Sequence, residues 1–277
     1  MNKPDFIGIG AARCATTWLS QCLHTHPEIY MAKGDGKTYF FNRYYDQGIR
    51  EYESFFASAP ASSIKGEFTE TYLFDDEVPI RIARHFPNIK IIAVFRNPVE
   101  RAYSTYLHLV RDGFLQPNSF EAEIKLKKKI FIKDSLYYAR IKPYFDLFPK
   151  ENIQISIYEN IQKDPQSFLR TLYEFIGSDN TFTPSFVNKK INPTLAPRFS
   201  FLNKFMTLSG WAMRDLGLVS LRYRIRNSQI MKSLRFKKTD LHKPEMPLET
   251  RKMLCDIFHD SNDKLARLIQ EDLSFWQ

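Results

Sequence analysis

Two short stretches of this chain carry side chains suited to gripping anions. The first, residues 6–19, reads FIGIGAARCATTWL. An apolar run ends in Gly10-Ala11-Ala12. It is followed by one cation, Arg13, two more small residues, Cys14 and Ala15, and two hydroxyls, Thr16 and Thr17, which open an apolar helical pattern. A strand, a tight loop and a helix start in that order turn free backbone N–H groups and a positive helix end toward one point, which is the chemistry of phosphate binding. The nucleoside-triphosphate form of such a loop reads GxxxxGK[ST]. Here Cys14-Ala15 stand where Gly-Lys would precede Thr16, so the loop is expected to bind phosphate without holding Mg-ATP in the ordinary way.

The second stretch, residues 95–108, reads FRNPVERAYSTYLH. Arg96 follows an apolar run, IKIIAVF, and Pro98 suits the first turn of a helix. Asn97, Arg101, Ser104 and His108 then recur at helical spacing and share a face. An arginine at a strand end with a hydroxyl on the next helix grips a phosphate in a bidentate manner and from the side. Read alone, the same residues also fit an ion pair between Arg96 and Glu100, with Ser104 at the surface.

The elements that must position these groups follow from periodicity. Strands are expected at 6–10, 28–31, 64–69, 89–95 and 153–158, and helices at 16–24, 51–57, 78–85, 98 to about 112, 136–147, and 165–176 closed by Gly177. Residues 32–37, AKGDGK, read as a turn-rich loop. Strands alternating with helices over short connections predict an α/β fold, a P-loop-like doubly wound parallel sheet flanked by helices. From about Thr181 to Pro247 proline, asparagine, aromatic and basic residues dominate, and a helix is expected at 248–269. The irregular helical C-terminal third, about 181–277, is expected to cover a cleft of one domain spanning 1–277. Ligands of such folds bind beyond the carboxyl ends of the strands, where both anion-gripping stretches fall.

Composition bounds the function class. The chain has 277 residues, 43% of them hydrophobic, enough for a full core. No apolar run reaches the roughly 18 residues of a spanning helix, and the N-terminus opens into a strand rather than a leader, so neither a membrane span nor a signal peptide is expected. Cys14, Cys22 and Cys255 form no CxxC pair and no disulfide framework, which favours a reducing cytoplasm. The net charge of +9 suits nucleotides, anionic sugars or acidic membrane surfaces as partners, or serves solubility. The basic run at 222–243 reads as an acidic-acceptor groove, a peripheral membrane segment or a solvated helix face. His24 and His26 lack acids or cysteines at metal spacing, and no metal site is expected.

Taken together, the two stretches resemble the nucleotide-binding motifs of the sulfotransferase family, enzymes that use 3′-phosphoadenosine 5′-phosphosulfate (PAPS). The first motif is matched by Gly10 to Leu19. The second, Arg-Asn-Pro-x-Glu-Arg-Ala-x-Ser, is matched by Arg96 to Ser104. Weaker likenesses are His26-Pro27 with Phe40-Phe41 downstream, Gly66-Glu67, Tyr158-Glu159, Asn192-Pro193 and the terminal helix ending near Trp276. The chain looks most like the bacterial branch related to carbohydrate, heparan-type sulfotransferases. The resemblance implies that Arg13, Cys14, Ala15, Thr16 and Thr17 hold the 5′-phosphosulfate, that Arg96 and Ser104 hold the 3′-phosphate, and that Arg198 is a later contact to nucleotide or lid. It implies sulfuryl transfer to a hydroxyl or amine of a carbohydrate or small metabolite, with no nucleic-acid partner. The other readings are a P-loop small-molecule kinase or a non-catalytic nucleotide-binding relative.

One departure matters. Relatives carry a general-base carboxylate in a Lys-Glu or Lys-Asp pair just before Phe-Phe. Here the sequence is KGDGKTYFF over residues 33–41, and Lys37 falls on the expected acid. Asp35 and Glu67 rank equally as replacement bases, with Glu70 third. Asp35 also reads as a turn residue between glycines, and Glu67 as a structural partner of a cation.

Overall fold

The structure is a computed structural model that describes residues 3–115, 119–188, 195–197, 200–218, 221–222, 224–225, 228, 236–240 and 245–276. The chain forms two compact units. One comprises Met1–Pro98, Leu136–Lys189 and His259–Gln277; the other comprises Val99–Ser135 and Lys190–Phe258.

The first unit is built on a parallel five-stranded sheet of β1 (Phe6–Gly10), β2 (Ile29–Met31), β3 (Ile64–Phe68), β4 (Lys90–Phe95) and β5 (Ile153–Ile157), in the order β2-β3-β1-β4-β5. The central β1 is buried along its whole length and β4 from Ile91 onward, as continuous apolar runs in a parallel sheet require. Register between β1 and β3 pairs Phe6 with Gly66 and Gly8 with Phe68. Each ring lies over the glycine opposite. A Cβ on Gly8 would fall 2.1 Å from Phe68 Cδ2, and one on Gly66 would fall 2.2 Å from Phe6 Cζ. The two strands interlock through rings seated where side chains are missing.

Around the sheet lie α1 (Thr16–Thr25), α2 (Ile49–Ser54), α3 (Val78–His85), and, after α4 (Pro98–Arg111), α5 (Phe120–Leu126) and α6 (Lys128–Phe131) of the second unit, the helices α7 (Tyr137–Leu147), α8 (Tyr158–Lys163) and α9 (Pro165–Ile176). Local chemistry sets their ends. In α9 the Asp164 carboxylate accepts from Ser167 N–H at 2.9 Å, Pro165 opens the first turn and Gly177 closes the last. Phe40, Phe41, Tyr52 and Phe56 are fully or nearly fully buried, with ring centroids about 5 Å apart, and form a second core behind the 32–38 loop.

In the second unit Tyr103, Tyr106, Phe120 and Phe131 pack ring to ring. The unit also holds α10 (Ser200–Asp215) and an antiparallel pair, β6 (Leu195–Pro197) with β7 (Phe236–Asp240). Neither was evident from composition. The spacing Phe205, Leu208, Ala212 is helical, but prolines, asparagines and cations on both sides obscure it. The last long helix, α11 (Leu248–Ile269), has the expected bounds.

Because the five strands are parallel, the loops after their carboxyl ends line one edge of the sheet. These are residues 11–15, 32–39, 69–71, 96–97 and 158–159, and they hold most of the first unit's candidate side chains. The interlock of β1 and β3 is directly testable. Gly66→Ala should lower unfolding free energy by roughly 1–3 kcal/mol in urea titrations, since overpacking forces a ring off its position. An unchanged midpoint would show that Phe6 is not held over Gly66.

Candidate functional site

Between β1 and α1, Arg13 (φ 74°) and Ala15 (φ 59°) adopt left-handed backbone conformations. Such residues turn neighbouring N–H groups toward one concave side. Ala11 N–H donates to Val94 C=O at 2.9 Å and Cys14 N–H to Ala11 C=O at 3.2 Å, fastening the loop to β4 and to itself. Helix α1 has no side-chain cap and no acidic residue in its first turn, so nothing on the helix neutralises its positive end. Thr16 is buried, Thr17 exposed, and Arg13 and Ala15 are half-buried. Cys14 is fully buried, with Sγ 3.7 Å from the Tyr137 hydroxyl, and the Tyr137 ring stacks on Phe95 at 4.4 Å. Cys14 therefore acts as a small packing residue under the loop.

At the ends of β4 and β5, the Arg96 guanidinium lies over the Tyr158 ring, 5.0 Å from its centroid. Burial pushes the Tyr158 hydroxyl above its usual pKa, and the Arg96 charge opposes that shift. Glu159 ties the neighbourhood together. Its Oε1 accepts from Asn97 N–H at 2.9 Å, and its Oε2 accepts from Trp276 Nε1 at 3.3 Å. Asn97 Nδ2 in turn donates to Trp276 C=O at 3.3 Å. Glu100, the alternative partner for Arg96, pairs with Arg251.

Ser104 is half-buried on the second turn of α4. Arg101 does not join it in an open anion face. Its guanidinium is buried and donates to Ser135 Oγ at 2.7 Å. His108 accepts at Nδ1 from Arg111 Nη2 at 2.7 Å.

Three carboxylates belong to the edge beside the loop. Glu67, the penultimate residue of β3, has no solvent exposure. Its Oε2 accepts from Thr38 N–H (3.1 Å), Thr38 Oγ1 (2.8 Å) and Thr69 Oγ1 (2.6 Å), and its Oε1 accepts from Tyr72 OH (3.1 Å). Burial raises the Glu67 pKa, and the Thr69 and Thr38 hydrogen bonds oppose the rise. Its folded pKa thus lies above the unfolded one, so this carboxyl's contribution to stability is largest below the usual carboxylate range and declines as pH rises toward the folded value. Lys37 Nζ lies 2.6 Å from Glu70 Oε2, with both side chains less than one-fifth exposed. Burial works against the Lys37 ammonium, yet the charges of Glu70, Tyr39 and Asp35 outweigh it and raise its pKa. Asp35 is half-buried in the turn between Gly34 and Gly36. That turn is built for glycine: Gly36 has φ 73°, and a Cβ there would fall 2.8 Å from His24 Cε1 on α1.

The remaining expected residues fall as follows. Arg198 and most of the basic run at 222–243 lie outside the described residues. His24 Nδ1 is bonded to Ser20 C=O within α1 at 3.0 Å, and His26 is buried against the rings of Tyr173 and Phe182. Among the described residues no group of His, Cys, Asp and Glu side chains could hold a metal ion. Sequence reading missed Tyr137 as the support beneath Cys14 and undervalued Tyr158-Glu159. The signal for the second was present, because an aromatic-acid pair directly follows a buried strand at the edge where ligands bind.

Comparison with known proteins places this arrangement. The family described as Sulfotransferase domain matches residues 3–203. Human bifunctional heparan sulfate N-deacetylase/N-sulfotransferase 2 is 26% identical over 287 residues, covering 96% of this chain and 29% of that protein. Mouse heparan sulfate glucosamine 3-O-sulfotransferase 3B1 is 27% identical over 188 residues, covering 65% of this chain and 47% of that protein. The chain thus spans less than half the length of these curated relatives. A crystal structure of a sulfotransferase from Alicyclobacillus acidocaldarius shares the fold with a TM-score of 0.73 at 24% identity, over 99% of this chain and 98% of that one. A mouse sulfotransferase complexed with PAP gives a TM-score of 0.52 at 15% identity, over 96% and 87%. The doubly wound, P-loop-like reading of the sheet holds, and the match over most of its length makes this chain a member of the sulfotransferase family.

Proposed function

We propose that the chain transfers a sulfuryl group from PAPS to a hydroxyl or amine acceptor, and that this acceptor is a carbohydrate or small metabolite. The observation that carries the reading is the entrance to α1 in a sulfotransferase-family chain: a loop with left-handed Arg13 and Ala15 leads into a helix end that no side chain caps. In this reading Arg13, Cys14, Ala15, Thr16 and Thr17 hold the 5′-phosphosulfate through N–H groups, the guanidinium and the hydroxyls. Arg96, braced on Tyr158, and Ser104 hold the 3′-phosphate, with Arg198 a further contact. Sulfuryl transfer is an in-line displacement that builds negative charge on the bridging oxygen of the leaving bisphosphate. Arg13 is the cation for that oxygen; it stabilises charge but donates no proton at neutral pH.

A carbohydrate acceptor is supported by relatives named for heparan sulfate and by the positive net charge, which favours anionic sugars. In this reading the chain is one domain spanning 1–277. The three cysteines are free, which supports work in the reducing cytoplasm. Among the described residues no helix is long and apolar enough to cross a membrane, and the basic run at 222–243 supplies cations for an acidic acceptor, a membrane surface or a solvated helix face.

Calorimetry separates donor classes. The bisphosphate product, PAP, should bind at least about tenfold tighter than ATP, and the reverse order would favour a kinase and end this reading. Arg96→Ala should weaken PAP about 10- to 100-fold, the range of one or two charge-assisted hydrogen bonds, while 5′-AMP affinity stays within about twofold. Equal losses for both nucleotides would remove Arg96 from the 3′-phosphate. Desulfated heparan oligosaccharides incubated with radiolabelled PAPS should acquire label.

A further inference from the structure

Lys37 leaves the expected acid position without a carboxylate, and the structure brings another acid to its side chain. Lys37 Nζ and Glu70 Oε2 are 2.6 Å apart, so the tip of residue 70 reaches the point where the tip of residue 37 ends. We propose that Glu70 is the carboxylate that takes the proton from a hydroxyl acceptor, with Lys37 and Glu67 as the positioning residues that hold it; this rests on the sulfuryl-transfer reading above.

The three nearby carboxylates differ in what their oxygens already do. Glu67 is sealed from solvent, and both oxygens accept hydrogen bonds from Thr38, Thr69 and Tyr72. A proton could reach it only by breaking that network. Asp35 lies two residues before Lys37 in the glycine turn and acts on the lysine as a charge. Glu70 is partly exposed, its Oε2 stands 2.6 Å from Lys37 Nζ as an ion pair, and among the described residues no hydrogen bond engages Oε1. Its backbone also abuts the donor loop: the Glu70 carbonyl lies 2.9 Å from where a Cβ on Gly10 would sit. Glu70 therefore combines an open oxygen with a place beside the loop that leads to Arg13.

Glu67 explains why the pair is held so closely. It bonds Thr38, the residue after Lys37, and Thr69, the residue before Glu70. One buried carboxylate thus clamps the two backbones that carry the pair. Burial works against the Lys37 ammonium, but the charges of Glu70, Tyr39 and Asp35 keep it cationic, so an ion pair holds the Glu70 side chain in place.

In the step itself the acceptor oxygen bonds to sulfur while its proton passes to Glu70 Oε1. The bond from sulfur to the 5′-phosphate oxygen breaks, and its electron pair stays on that oxygen beside Arg13. Glu70 then returns the proton to water.

The test uses the full chain, PAP affinity by calorimetry, and PAPS turnover measured both with desulfated heparan oligosaccharides and with water as acceptor. Glu70→Gln should lower turnover on the order of 100-fold, the usual worth of a positioned base, and leave PAP affinity within about twofold. Glu70→Asp should recover part of the rate. Lys37→Met should lower kcat at least about tenfold with KM for the acceptor and PAP affinity within about twofold, and Lys37→Arg, which keeps the cation beside Glu70, should recover part of the rate. If Lys37 only fills space, Met should serve as well as Arg and kcat should hold. The proposal is overturned if Glu70→Gln keeps more than about a third of the rate, if its PAP affinity falls in step with the rate, or if Asp35→Asn alone causes the hundredfold loss. PAP binding without PAPS turnover on either acceptor also overturns it. Failure of the unaltered chain to bind PAP would instead remove the donor reading itself.

Discussion

Glu67 sits near the end of β3 with no contact to water, and one amide and three hydroxyls converge on it. A carboxylate in such a place is tolerated only when its lone pairs are engaged, because desolvating it without partners costs several kcal/mol. The reciprocal need is as strong. Thr38 N–H, Thr38 Oγ1 and Thr69 Oγ1 are buried donors with Glu67 as acceptor, so the group satisfies the loop as much as the loop satisfies the group. Through this exchange the 32–39 loop is fixed to the edge of the sheet. The ion pair of Lys37 with Glu70 and the aromatic core under Phe40 and Phe41 both depend on that attachment.

The rest of the first unit's edge follows similar logic with different chemistry. At β1 a backbone turn with left-handed residues, rather than a side chain, presents the polar groups. At β4 and β5 an arginine rests on an aromatic ring and a second carboxylate, Glu159, joins strand ends to the C-terminal turn. The two carboxylates, Glu67 and Glu159, organise loops by accepting from backbone N–H groups. The arginines at strand ends stay half-exposed. With Glu67 and Glu159 engaged as internal fasteners, Arg13 and Arg96 remain partly exposed at the ends of the strands.

Much of this was legible in the residues. The β-branched run before Arg96 could only be a buried parallel strand, and Gly177 after an apolar helical pattern marked the end of α9. The strand–loop–helix order around Arg13 to Thr17 was legible too, because small residues let the chain turn sharply there, and Arg13 and Ala15 take left-handed conformations before the helix. Arg101 was less legible: helical spacing puts it on a face with Ser104, but spacing says nothing of which way a long side chain turns, and it turns inward to Ser135. The helix at Ser200–Asp215 was hidden for a different reason, since its apolar positions are embedded in a stretch whose composition reads as irregular.

By itself the sequence determined the order of strands and helices around the five-stranded sheet, the tight loop from Arg13 into α1, and a lysine at residue 37. These are properties of neighbours along the chain, governed by periodicity, turn chemistry and local charge. Only the tertiary structure decided which carboxylate stands where. Residues 37 and 70 are separated by 33 positions, and nothing local pairs them; they meet because β3 lies beside β2 in a parallel sheet and Glu67 binds the loops that follow both. Pairing across strands is set by packing and hydrogen bonds between distant segments, and for that reason Glu67 is an internal clamp and Glu70 the neighbour of Lys37.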